Sequence, residues 1–92
     1  MRVTIRLRGP ITAHVKTPTY SVETGNDSSL KEVLQTLLDN HHEVREVWNN
    51  PESVDRDALI LLNEVDIGLT GGLTSRIKDG DIIVVLPLVH GG

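Results

Sequence analysis

Ninety-two residues with 38% apolar side chains and a net charge of −4 make one small domain, and its core must be almost wholly aliphatic because the chain has no Phe, one Tyr and one Trp. The absence of cysteine excludes disulfides, thiolate metal sites and a cysteine nucleophile, and the acidic balance disfavours a direct nucleic-acid binder working by bulk electrostatics. No apolar run approaches the roughly 18 residues of a membrane span, and the first residues alternate instead of forming the apolar block of a signal peptide.

The stretch RVTIRLR, residues 2–8, alternates strictly. Val3, Ile5 and Leu7 point one way and Arg2, Thr4, Arg6 and Arg8 the other, which is the pattern of a half-buried strand. Gly9-Pro10 ends it. Ile11 to Thr24 reads as extended, with Pro18 marking a bend or an edge strand, and Tyr20 and Val22 closing a hairpin with the first strand. Ser29 with Glu32 forms a capping box, and Leu30, Val33, Leu34, Leu37 and Leu38 then fall on one helical stripe that stops near Asn40. HHEVREVWNN predicts a second short helix with Val44, Val47 and Trp48 on one face, ended by Pro51. DALILLNEVDIG reads as two short strands about a turn, or one strand running into a loop. Gly71-Gly72 is read as a turn, Leu73 and Ile77 as packing from a single helical turn, and Asp79-Gly80 as a turn. DIIVVLP is the strongest strand: Ile82, Val84 and Leu86 face one side and Ile83 and Val85 the other, so it belongs inside the sheet. Pro87 has no N–H, and regular pairing is expected to fail there. The order predicts an α+β fold with one main helix on one face of a mixed sheet, in which the first and last strands lie side by side and parallel.

The segment LTSRIKDGDIIVVLPLVHGG, Leu73 to Gly92, resembles the ending of the ubiquitin-like β-grasp proteins of the MoaD and ThiS group, which include the small archaeal modifier proteins and the ubiquitin-related modifier. The order of elements extends the resemblance over the whole chain. The long segment from His41 to Asp57 favours MoaD and the modifiers over ThiS. Leu88 stands where MoaD often has a second proline, and Asn63-Glu64 where Asn-Gly is frequent. The resemblance implies a single ubiquitin-like β-grasp domain over residues 1–92, with a mixed four- to five-stranded sheet, one main helix, a second short helix, and a flexible tail over residues 87–92. It also implies a cytoplasmic location.

The ending has chemistry of its own. Gly92 carries an α-carboxylate with no side chain near it, and two glycines form a thin strip that can enter a narrow channel. A carboxylate becomes an acyl donor only when activated, for instance as an acyl-adenylate. Leu88 and Val89 can supply apolar grip beside the strip, and His90 can touch the adenylate or a partner, although a solvated tail residue is the plainer role. The resemblance implies activation by an E1-like adenylating enzyme that brings the ATP, so that this chain binds no cofactor itself and is a co-substrate, not a catalyst. Sulfur attack then gives a thiocarboxylate carrier, for molybdopterin synthesis or tRNA thiolation with a MoaE-like or thiolation enzyme. Attack by a target lysine gives a protein modifier. A stand-alone β-grasp binding module that never uses its terminus is the alternative.

Other residues carry weaker signals. Arg2, Arg6 and Arg8, with Ile83 and Val85 expected among them, outline a partner-binding face on the outer side of the sheet. The bland reading of that face is a solvated surface whose arginine stems cover the aliphatics. Lys16, Lys31 and Lys78 are the only lysines and the possible acceptors in chain formation. No metal site is expected: His41-His42 are adjacent and point apart on a helix, and Asp79 and Asp81 do not continue into a calcium loop.

Overall fold

The alternation of the first strand becomes a wall of the core. The computed structural model of the chain describes residues 1–13, 15 and 18–88. In it Val3, Ile5 and Leu7 of β1 (Arg2–Leu7) are fully buried, while Arg2, Thr4 and Arg6 turn outward. β1 pairs antiparallel with β2 (Thr19–Glu23), setting Ile5 opposite Tyr20 and Val3 opposite Val22. Of the stretch from Ile11 to Thr24, Thr19–Glu23 is extended as expected. Gly9, at φ +78°, and Pro10 instead start a 3₁₀ turn over Gly9–Ala13 that buries Ile11.

α1 (Leu30–Asn40) begins at the expected capping box: the Ser29 hydroxyl accepts from the Glu32 N–H at 3.2 Å and the Glu32 carboxylate accepts from the Ser29 N–H at 3.1 Å. Such a cap contributes about 1 kcal/mol. All five stripe residues are buried against the sheet. The next helix, α2, is only His42–Arg45. Val44 and Trp48 are buried, but Val47 is exposed, because the chain leaves helical geometry before a common face is completed. Pro51 starts a helix instead of ending one. It opens α3 (Pro51–Asp57), with the Asn50 side chain capping the Ser53 N–H at 2.8 Å; proline suits the first helical position because the N–H it lacks would be unpaired there.

β3 (Ala58–Leu62) and β4 (Val65–Asp66) form a hairpin about Asn63-Glu64, both at positive φ. That turn suits the twist of the flanking strands. The left-handed conformation is unfavourable for Glu64 by roughly 1 kcal/mol, and Asn63 secures it: its N–H donates to the Ile82 carbonyl, its Oδ1 accepts from the Ile82 N–H, and its Nδ2 donates to Asp81 at 2.9 Å. Gly71 and Gly72 form the expected turn, both at positive φ; a Cβ on Gly71 would lie 3.3 Å from the Thr74 hydroxyl. β5 (Ile82–Pro87) lies parallel to β1 and antiparallel to β3, giving the strand order β2-β1-β5-β3-β4. The mixed β-grasp sheet is therefore five-stranded, and its last strand lies at its centre.

One face assignment is reversed. Ile83 and Val85 lie fully buried beside Ile5 and Leu7, not among the arginines. β5 is apolar on both sides, so its own sequence does not choose a face. The register does: Ile5 pairs with Ile83 and Leu7 with Val85, and side chains paired across two strands share a face. The outer face receives Ile82, Val84 and Leu86 instead.

The β2 edge is tied to the helical layer by the one tyrosine. Tyr20 meets the His41 ring edge-on at a centroid distance of 4.4 Å, and its hydroxyl donates to Glu43 at 3.1 Å. His41 ends α1 and caps α2, as expected of helix-end residues. Burial, then the bond to Glu43, pushes the Tyr20 phenol up to about 12.

Two measurements check this description. Val85→Asp should prevent folding at a cost of at least ~3 kcal/mol, whereas Val84→Asp should stay folded and lose ~1 kcal/mol, read by urea denaturation. In an ultraviolet titration the single phenol should ionise near 12, and Glu43→Gln should lower that midpoint. Because the folded pKa is the raised one, Tyr20's stabilisation is complete below about 10 and is lost as pH climbs through the folded value.

Candidate functional site

The site consists of the β5 strand that leads toward the diglycine and the outer sheet face beside it. At its end Pro87 still pairs with Ala58, and the Leu88 N–H donates to the Asp57 carbonyl at 2.8 Å. The chain is thus held through residue 88, one residue beyond the proline expected to release it, because the bond there is made by the Leu88 N–H, which the proline does not remove. The chain leaves between the Gly9–Ala13 turn, whose Gly9 lies against Pro87, and the carboxy-terminal end of α3, where Arg56 forks onto Asp57 at 2.9 and 3.2 Å. Leu88 is exposed. Val89, His90, Gly91 and Gly92 lie outside the described residues.

The outer face is built by two neighbouring strands with outward aliphatics: Ile82, Val84 and Leu86 on β5, and Leu59 and Leu61 on β3. Ile82 and Leu59 are 37% and 36% exposed, which marks the face as apolar surface and not as core. Arg6 borders it, opposite Val84, and a groove of about 280 Å³ runs between Arg6 and the Asn63-Glu64 turn over Ile82 and Val84. Arg8 follows on the same side and is exposed. Arg2 is committed elsewhere: its guanidinium meets Glu23 at 2.7 Å across β1 and β2. Two of the three arginines therefore serve the face, with five aliphatics that sequence reasoning placed on the wrong side or did not assign. The signal that could have found them is the pairing of the Asp81 carbonyl with the Thr4 N–H, which fixes the parity of β5 but depends on the assembled sheet.

The remaining candidates have structural roles. Asp79 accepts from the Arg2 N–H at 2.7 Å, and Asp81 from the Lys78 N–H at 2.7 Å and from Asn63, so this pair ties turns together. No group of side chains that could hold a metal exists among the described residues. Lys31 pairs with Glu52 at 3.0 Å, joining α1 to α3, and Lys78 is exposed; Lys16 lies outside the described residues. No described helix is long and apolar enough to cross a membrane.

Residues 3–92 match the family model of Urm1 (ubiquitin related modifier). The sulfur carrier protein CysO of Mycobacterium tuberculosis is 35% identical over 75 residues, covering 78% of this chain and 80% of that one. The ubiquitin-related modifier 1 homolog of Caenorhabditis elegans is 32% identical over 95 residues, covering 98% and 95%. Among solved structures, the small archaeal modifier SAMP1 of Haloferax volcanii superposes with a TM-score of 0.81 over 100% of both chains at 17% identity, a likeness of fold. A chain of the BexX/CysO complex of Amycolatopsis orientalis does so with a TM-score of 0.76 over 98% and 99% at 23% identity.

The anchoring of residue 88 is testable without a partner. The Leu88 amide should exchange slowly with solvent, and Leu88→Pro, which deletes the donor, should cost about 1 kcal/mol in urea denaturation and exceed the cost of Leu88→Ala.

Proposed function

The chain belongs to the Urm1 (ubiquitin related modifier) family, and on that footing we propose that it is a ubiquitin-like sulfur carrier acting through a free carboxylate on Gly92. The observation that carries this reading is the family match running through residue 92, with Gly91-Gly92 beginning four residues in sequence after the last residue of the central strand of the sheet. The curated relatives support both fates of an activated terminus, since one is named a sulfur carrier and another a ubiquitin-related modifier.

In this reading an E1-like partner holds ATP and joins the Gly92 carboxylate to AMP, releasing pyrophosphate. A sulfide donor then attacks the acyl carbon, AMP leaves, and one oxygen of the carboxylate has been replaced by sulfur; a persulfide donor displaces AMP to give an acyl disulfide, from which a second thiol releases the thiocarboxylate and forms a disulfide with the donor. If a lysine amine attacks instead, AMP leaves and an isopeptide bond forms. The chain supplies the acyl group and the recognition surface; the partner supplies the catalysis. The aliphatic face with Arg6 and Arg8 is the docking surface, because aliphatic side chains bordered by arginine suit a protein interface. A CysO relative is seen in complex with another protein, BexX, which fits a family that works through partners.

Intact-protein mass after incubation with ATP, an adenylating enzyme and a sulfide source should rise by the difference between sulfur and oxygen, and deletion of Gly91-Gly92 should abolish the gain. Conjugates carrying the diglycine on a lysine would assign the modifier role. A deletion variant that keeps every cellular function would overturn both and leave the stand-alone binding module. Charge reversal at Arg6 and Arg8 should weaken partner binding at least ~10-fold with the fold intact.

A further inference from the structure

We propose that the outer sheet face is also an interface between two copies of this chain, related by a two-fold axis that runs along the strands between β5 and β3. The observation is a row of paired residues crossing the sheet. Arg6 on β1 pairs with Val84 on β5, Val84 with Leu61 on β3, and Leu61 with Asp66 on β4. The row therefore reads basic, apolar, apolar, acidic. Strands lie about 4.8 Å apart, so Arg6 and Asp66 each stand about 7 Å from the midpoint between Val84 and Leu61.

Rotation by half a turn about that midpoint lays Val84 on Leu61 of the second copy and Arg6 on its Asp66. The same rotation exchanges Leu86 with Leu59, which are themselves paired, so a second row places aliphatic on aliphatic about the same axis. A surface that matches itself under a two-fold rotation is what a closed dimer requires. Electrostatics agree. Arg6 and Arg8 line one flank, Glu64 and Asp66 the other, and none of the four makes an ion pair among the described residues, unlike Arg2. Among the described residues the Asp66 side chain receives the N–H of Gly68, at 2.8 Å, and no cation.

The area sets the strength. The four strands that the axis superposes, β1, β5, β3 and β4, are two to six residues long; at about 4.8 Å between strands and about 3.3 Å per residue they present a footprint of roughly 300 Å² per copy, hence roughly 600 Å² in all, the size of a weak, transient contact. The dimer is accordingly reversible and gives way to any partner that also engages the tail. This inference does not rest on the carrier reading; it puts the second copy in competition with a partner for one face.

Sedimentation velocity of the full chain from ~10 µM to ~1 mM at low salt tests it, in the range expected for an interface of this size. The mass should climb toward that of a dimer and fall back when salt screens the flanks. Arg6→Asp should weaken association at least ~10-fold, and so should Asp66→Asn, which keeps the turn's oxygen acceptor but removes the charge. The exchange variant R6D/D66R should restore association to within ~3-fold of the native chain. Circular dichroism verifies that each variant is folded, and Glu64→Lys probes the acidic flank without touching the Gly68 bond. A monomer across the whole range, or a dimer indifferent to these charges, overturns the proposal. The mass gain on sulfide transfer is read separately and is untouched by either outcome.

Discussion

The backbone pairing of β5 on both of its sides governs this structure. The strand inserts between β1 and β3, parallel to one and antiparallel to the other, and no turn of the local chain specifies that insertion. It joins the amino-terminal hairpin to the β3–β4 hairpin, turns Ile83 and Val85 into the core, and turns Ile82, Val84 and Leu86 outward. Core and outer face of the sheet are thus two sides of one strand. A register shift of a single residue would exchange them.

That register is secured at the strand's start. Asp81 joins Lys78 to Asn63, Asn63 closes on Ile82 with both its backbone and its side chain, and Asp79 receives the Arg2 N–H. Asp79 and Asp81, whose spacing does not continue into a calcium loop, are here occupied by backbone donors and an amide. Each bond is worth only about 1 kcal/mol, but together they fix the beginnings of β1 and β5 and the β3–β4 turn at one corner of the sheet. The aliphatic packing then follows.

Where a residue's environment is local, the sequence was sufficient. The capping box, the helical stripe from Leu30 to Leu38, the strand of Val3, Ile5 and Leu7, and the diglycine turn at Gly71-Gly72 all depend on neighbours within a few positions. Where it depends on distant pairing, the sequence was mute. The two faces of β5 are equally apolar, so only β1 and β3 could decide between Val84 and Val85. Pro51 shows a different limit: a proline that ends one helix or begins the next has the same local signature, and the Asn50 cap settles which. Of the candidate site, the border formed by Arg6 and Arg8 was legible, while Arg2 was not, since its partner Glu23 meets it only across the hairpin.

The bond from Leu88 to Asp57 makes α3 a gauge of distance. With the Leu88 N–H bonded to the Asp57 carbonyl, Gly92 lies four residues further along the chain, and an extended chain of four steps spans at most about 14 Å. Under the proposed carrier reading, an enzyme acting on Gly92 must bring its reacting atom within that tether of the Asp57 edge. A partner with a deeper channel must first undo the bond, and one with a shallower channel would leave slack. The depth of a compatible active site is therefore written into the place where a short helix meets the third strand.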